Sequence, residues 1–224
     1  MTVLYDDTAL TVCVKPVGVA SQKSGDGRDM LSLLEAYYRD RGDSSTPYAV
    51  HRLDTAVGGV MVYAKTPKAA AALSREIAEG RFEKTYFAVV AGDVAKALGG
   101  EGRLCDLLFK DSRKNKSFVV QRKRNGVKEA SLIYRVLGTR EEEDGVLSLV
   151  EVRLITGRTH QIRVQFSSRG FPLVGDGKYG SRIKSALGLF SFAIGFRHPE
   201  TDRHMCFELP LPDDAPFDAF QNFC

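Results

Sequence analysis

Three ionisable side chains crowd the segment Tyr48-Ala-Val-His-Arg-Leu-Asp54: His51, Arg52 and Asp54, with Gly58 and Gly59 just beyond. A carboxylate beside cations is held ionised, which is what a nucleophile or a base requires. The plainer alternative is a structural Arg–Asp pair at a turn, because such pairs perturb pKa values too. A second motif, Thr156-Gly-Arg-Thr-His-Gln-Ile-Arg163, enters a predicted helix over Gly157 to Ser168 through a glycine turn. Thr159 is placed to cap that helix, and a helix N-terminus favours anions. His160, Arg163 and Ser167 share one helical face, away from the apolar Ile162 and Phe166. Arg158 and Arg163 have the fork geometry to hold a phosphate or a carboxylate bidentately. The alternative here is a solvated polar helix face.

Other signals are weaker. Gly175-Asp-Gly-Lys-Tyr-Gly180 matches GxGxxG. The run before it contains Pro172, and too little chain follows for most of a doubly wound sheet, so a tight glycine loop is the better reading than a dinucleotide fingerprint. His198 and His204 have no cysteine or acid cluster nearby, and no metal is expected. GxSxG, Walker and HExxH patterns are absent from the sequence.

The chain of 224 residues carries a net charge of +4. That excess is concentrated. Lys110, Arg113, Lys114, Lys116, Arg122, Lys123, Arg124 and Lys128 face one acid, Asp111, so this segment is +7 and the rest of the chain −3. A basic patch on a near-neutral body is a footprint for a polyanion; the alternative is a solvated hairpin. With 43% hydrophobic residues the chain can bury a core. No apolar run has the length of a membrane span, and the N-terminus lacks a signal-peptide pattern. Cys13, Cys105, Cys206 and Cys224 form no CxxC and read as reduced thiols. A cytoplasmic location is expected.

The elements that must position these groups are many strands and few helices. Strands are predicted at Leu10–Val14, Tyr48–Leu53, Val60–Ala64, Thr85–Ala91, Phe118–Val120, Ser131–Leu137 and Val146–Ile155, with a closing hairpin from Phe192–Phe196 and His204–Leu209. An acidic loop, Glu141 to Asp144, joins two of them. Helices are predicted from Met30 to Tyr38 and from Pro67 to near Gly80, the second opening on Thr66-Pro67. Without regular β-α alternation this pattern is α+β, with a mixed or antiparallel sheet. Residues 1–224 are expected to form one domain; Gly99-Gly100 is the candidate boundary if there are two lobes.

Taken in order, His51-Arg-Leu-Asp54, Glu83-Lys-Thr-Tyr86, Gly157-Arg-Thr-His-Gln-Ile-Arg163 and Pro172-Leu-Val-Gly-Asp176 with Tyr179-Gly180 resemble the RluA-type pseudouridine synthases. Val12-Cys-Val-Lys-Pro-Val-Gly18 and Phe196-Arg-His-Pro199 resemble that family's opening and late motifs. The likeness runs from about Val3 to Pro212. It implies the pseudouridine synthase fold, a curved mixed sheet with flanking helices and a central cleft. It implies an isomerase that turns a specific uridine of structured RNA (ribosomal or transfer RNA) into pseudouridine, with no cofactor and no metal. Asp54 falls on the catalytic aspartate, Tyr86 on the tyrosine that stacks on the target base, and Arg163 on the basic residue that pairs with the aspartate. Arg52 falls on an arginine linked to moving the base out of its stack. His51, Arg158, His160, Arg122, Lys123 and Arg124 are the expected RNA-binding residues, and a monomer is expected.

The chain departs from the pattern in four places. Val57-Gly58-Gly59 stands where Thr-Ser-Gly is common, Gln165 where a histidine is usual, and Phe190-Ser191 where His-Ala is common. An S4-type RNA-binding domain is not expected, because the catalytic pattern begins at Val3. These departures keep a rival reading open, a non-catalytic RNA-binding or RNA-folding protein that retains the fold.

Overall fold

β-branched and aromatic runs punctuated by glycine dominate the chain, and they form eleven strands among the described residues. The computed structural model describes residues 1–25, 27–143 and 145–223. In order the elements are β1 (Thr2–Asp6), β2 (Leu10–Lys15), α1 (Met30–Asp40), β3 (Tyr48–Ala49), β4 (Gly58–Ala64), α2 (Pro67–Ala78), β5 (Glu83–Ala91), α3 (Val94–Leu98), β6 (Glu101–Asp111), β7 (Lys116–Val120), β8 (Val127–Glu142), β9 (Gly145–Leu154), α4 (Gln161–Ser167), β10 (Leu189–Arg197) and β11 (His204–Glu208). 3₁₀ segments cover Gly177–Tyr179, one turn, and Asp218–Phe223, two turns. No described helix is long and apolar enough to cross a membrane.

The chain divides into two compact units. The first comprises Met1–Lys84 and Ser191–Leu209, the second Thr85–Phe190 and Pro210–Cys224. Gly99 and Gly100 lie inside the second unit, where Gly99, at φ 91°, turns the chain from α3 into β6. Asp144, which ends the acidic loop, and Cys224 lie outside the described residues.

In the first unit β2 is flanked by β1 and β4, and β10 pairs with β11. Leu10, Val12, Val60, Val62 and Phe196 build the core on this sheet, and Ala69 and Leu73 bring in the apolar face of α2. That helix opens as expected, with the Thr66 side chain accepting from Ala69 N–H and proline following at once. On α1, Met30, Leu34 and Tyr38 are buried, and the Tyr38 hydroxyl meets Thr11 Oγ1 at 2.7 Å.

In the second unit the strand order is β5-β9-β8-β6-β7, every adjacent pair antiparallel. Val164 of α4 packs with Leu108, Ala130 and Tyr179. The α+β reading therefore holds, with differences in detail, among them the short helix α3, which was not expected. Only Tyr48–Ala49 of the expected Tyr48–Leu53 strand pairs, against Ala64 and Tyr63. The following backbone is bonded by side chains instead of a ladder. β1 and β6 went unseen because charged residues interrupt their apolar pattern, as Arg103, Asp106 and Lys110 do in β6. The helix expected from Gly157 begins only at Gln161.

Candidate active site

Asp54 sits half-buried on a loop whose neighbours are fixed on both sides. Ahead of it, Leu53 N–H donates to Ser21 Oγ (3.0 Å), and the same hydroxyl donates to Leu53 C=O (2.8 Å). Behind it, Thr55 C=O accepts from Gly18 N–H at 2.8 Å and from the Lys15 ammonium at 3.3 Å. Lys15 closes β2 and is fully buried; its Nζ also donates to Pro16 C=O (2.9 Å) and Val19 C=O (2.6 Å). Three donors thus meet three carbonyls. Burial pulls the Lys15 amine down to about 8, against the opposing pull of the Asp54 charge. Val57 N–H donates to Asp54 C=O at 2.9 Å and closes the turn.

His51, expected among the RNA-binding residues, has one ring nitrogen engaged by the backbone. Its Nε2 accepts from Val62 N–H of β4 at 3.2 Å, so its proton is on Nδ1, and its ring lies 5.2 Å from that of Phe82. Burial, aided by the charge of Lys84, pushes it down to about 3. His51 is a neutral strut beneath the loop. Arg52 beside it is exposed.

The glycines after Asp54 have a steric reason. Gly59 has φ 124°, and a Cβ there would lie 2.1 Å from Ser191 C=O of β10. The Ser191 hydroxyl, at a departure from the pattern, donates to Val60 C=O at 3.3 Å and returns one side-chain hydrogen bond to a stretch that lacks its two usual hydroxyls.

In the second unit the Gly157–Arg163 motif is arranged around two residues that belong to the quoted motifs but carry no expected role. Gln161 is the first: its Oε1 accepts from Thr156 Oγ1 (2.8 Å) and Arg158 N–H (3.0 Å), and its Nε2 donates to Ser131 C=O (3.0 Å). This side chain, not Thr159, orders the entry to α4. The residue at the cap is His160, in left-handed conformation at φ 53°, ψ 28°, with no side-chain capping bond. Strain of this kind in a non-glycine residue persists only where its surroundings enforce it.

Tyr179 is the second. Its hydroxyl accepts from Ser117 N–H (2.8 Å) and meets His160 Nδ1 at 2.9 Å. Burial raises the phenol pKa. Its carbonyl accepts from Ser167 Oγ at 2.6 Å, and the Arg163 guanidinium lies 5.1 Å from its ring centre. His160, Arg163 and Ser167 do share one face, and Tyr179 is what they face. Arg163 is buried on that face, and His160 and Ser167 are half-buried.

Arg163 binds a carboxylate bidentately, as its type allows. Nε and Nη2 donate to Asp176 Oδ2 and Oδ1 at 2.6 and 2.8 Å, with both side chains buried. Asp176 and Tyr179 belong to the GxGxxG segment, which is indeed a tight loop. Gly175 has φ 74°, and a Cβ there would lie 2.1 Å from Ala186 C=O. Only a single 3₁₀ turn follows.

Tyr86 is buried in β5, opposite Val152 of β9. Gln165 donates to Asp106 Oδ2 at 2.7 Å, where Arg169 also binds. Arg122, Lys123 and Arg124 are exposed on the β7–β8 connection. Lys123, Arg124, Lys128 and Arg158 line one groove of about 620 Å³.

Residues 9–168 match the RNA pseudouridylate synthase family, a span that holds Asp54, Tyr86, Arg158, His160 and Arg163. The chain belongs to that family. An uncharacterised RNA pseudouridine synthase of Bacillus subtilis is 32% identical over 219 residues, covering 96% of this chain and 70% of that protein. Ribosomal large subunit pseudouridine synthase C of Buchnera aphidicola is 31% identical over 230 residues, 98% of this chain and 69% of that protein. The solved structure of human RNA pseudouridylate synthase domain containing 1 superposes with a TM-score of 0.77 at 21% identity, over 95% of this chain and 84% of that one. The α+β pseudouridine synthase fold is established by this match, and the family makes the chain an isomerase of uridine in RNA.

Proposed function

We propose that Asp54 is the carboxylate with which this RNA pseudouridine synthase detaches uracil from its ribose and rejoins it through C5. The reaction is redox-neutral and adds no atoms, so it asks no cofactor. Asp54 attacks the sugar or takes a proton from it; both routes need an ionised carboxylate in a fixed position. The observation that carries the reading is the pinning of Leu53 by Ser21 and of Thr55 by Lys15 and Gly18, which fixes the residue between them.

Tyr86, held by a β-ladder, serves as the platform on which the freed base turns, since stacking tolerates rotation in the ring plane. Arg163 is the cation of the catalytic set. Arg52 acts in extruding the nucleotide, a step costing a few kcal/mol that an unpaired target lessens. Arg158, His160, Arg122, Lys123 and Arg124 contact the RNA, and the enzyme works as a monomer in the cytoplasm. Similarity to proteins named for the large ribosomal subunit makes ribosomal RNA the first substrate to test, ahead of transfer RNA.

The test is carbodiimide-dependent reverse-transcription mapping of RNA from a deletion strain, incubated with protein. Wild type should create a new stop that Asp54→Asn does not. Equal stops with both proteins would remove Asp54 from catalysis. Full rescue of a deletion phenotype by Asp54→Asn would favour the non-catalytic RNA-binding reading.

A further inference from the structure

β7 is the last strand of its unit's sheet, and its two faces differ. Ser117 is buried, and Val119 packs on the cluster of Leu108, Ala130, Val164 and Tyr179. The alternate residue Phe118 points the other way and is 37% exposed. The register sets Phe109 of β6 directly opposite Phe118. Cross-strand neighbours of this kind lie about 5 Å apart at Cβ, so the two residues are adjacent on the same face. The Arg124 guanidinium lies 4.9 Å from the Phe109 ring centre, and Lys116 Nζ 5.7 Å from that of Phe118. The single acid of this segment, Asp111, is engaged in its own turn, where Oδ1 accepts from Arg113 and Lys114 N–H at 2.9 and 3.1 Å. The patch is therefore aromatic, positively charged and at a sheet edge.

We propose that Phe118 and the Arg124–Phe109 stack are adjacent platforms for unpaired RNA bases, so that the enzyme engages a single-stranded or loop segment flanking its target uridine. The proposal rests on the RNA reading above and names the form of RNA taken. Phenyl rings have no hydrogen bond to offer a phosphate or a ribose, but every base has a π-face. An A-form duplex keeps those faces inside its stack and shows its backbone and shallow-groove edges instead, so rings of this kind select unpaired nucleotides. The surrounding cations hold the backbone and bring the strand to the rings.

The experiment measures binding of the purified protein to a single-stranded oligoribonucleotide containing 2-aminopurine, and to the same strand in a full duplex, across a salt series. Phe118→Ala should weaken single-strand binding roughly 5- to 100-fold and relieve 2-aminopurine quenching. The salt slope should not change, because no counterion release is lost. Duplex binding should stay within about twofold, and Phe118→Tyr should behave as wild type. Unchanged single-strand affinity in Phe118→Ala, or an equal loss on the duplex, would overturn the platform while leaving RNA binding in place. Failure of wild type to bind either RNA with salt dependence would instead overturn the RNA reading. Phe118 is exposed, so an unchanged melting temperature in the variant confirms that folding is not being read.

Discussion

Arg163 and Asp176 form a side-on, two-bond ion pair at 2.6 and 2.8 Å inside the second unit, with the Tyr179 ring 5.1 Å from the guanidinium. The cation that the family pattern assigns to catalysis is thus held by the glycine loop that follows it in sequence. A buried guanidinium is stable only while its charge is matched.

Asp176→Asn should cost about 3–5 kcal/mol of stability, the range for stripping one partner from a buried pair. The double variant Arg163→Met/Asp176→Leu should regain most of that stability, because no lone charge is left buried. It should not regain pseudouridine formation. Chemical denaturation with the mapping assay separates the two effects; recovery of activity in the double variant would remove Arg163 from the reaction.

His51 sets an acid limit. Its folded pKa, about 3, lies below the ordinary 6.5. The unfolded chain therefore binds the extra proton first, and the stability that neutral His51 contributes is full above pH 6.5 and is lost as pH falls toward 3. Between pH 6.5 and 5, ahead of most carboxylates, wild type should lose stability faster than His51→Gln. Parallel urea-denaturation curves for the two proteins over that window would contradict this.

Gly59→Ala should be among the most damaging single substitutions, at more than about 3 kcal/mol, because the new Cβ would lie 2.1 Å from Ser191 C=O on a backbone at φ 124°. Gly100→Ala is the control: nothing lies within 4 Å of its Cβ and its φ is not in the positive range. The control should stay within about 0.5 kcal/mol. Melting temperatures decide.

Neutralising Arg122, Lys123 and Arg124 together should weaken RNA binding and lower the slope of log K against log salt by ~2, while the fold stays intact. The three side chains are exposed, and the ion pair of Lys123 is to the equally exposed Glu129. An unchanged slope would return the segment to a solvated hairpin.

Much of the candidate site was legible in the chain itself. Asp54, Tyr86 and Arg163 are marked by ordered motifs, and the start of α2, the turn after α1 and the closing hairpin follow from caps, glycines and periodicity. Those signals are local, a few residues interpreting their own backbone. The +7 segment was equally visible as charge. What the sequence could not show is where a bond crosses long separations. Lys15 reaches Thr55, His51 takes the Val62 amide, and Tyr179 joins Ser117 to His160. The same limit hid β6, whose apolar residues need β8 beside them to become a core, and delayed α4 to Gln161, whose side chain finds Ser131. The ordered motifs, through their family resemblance, indicated which chemistry the chain carries. Tertiary structure decided which atoms hold it in place, because hydrogen-bond partners and burial are properties of distance in space and not of distance along the chain.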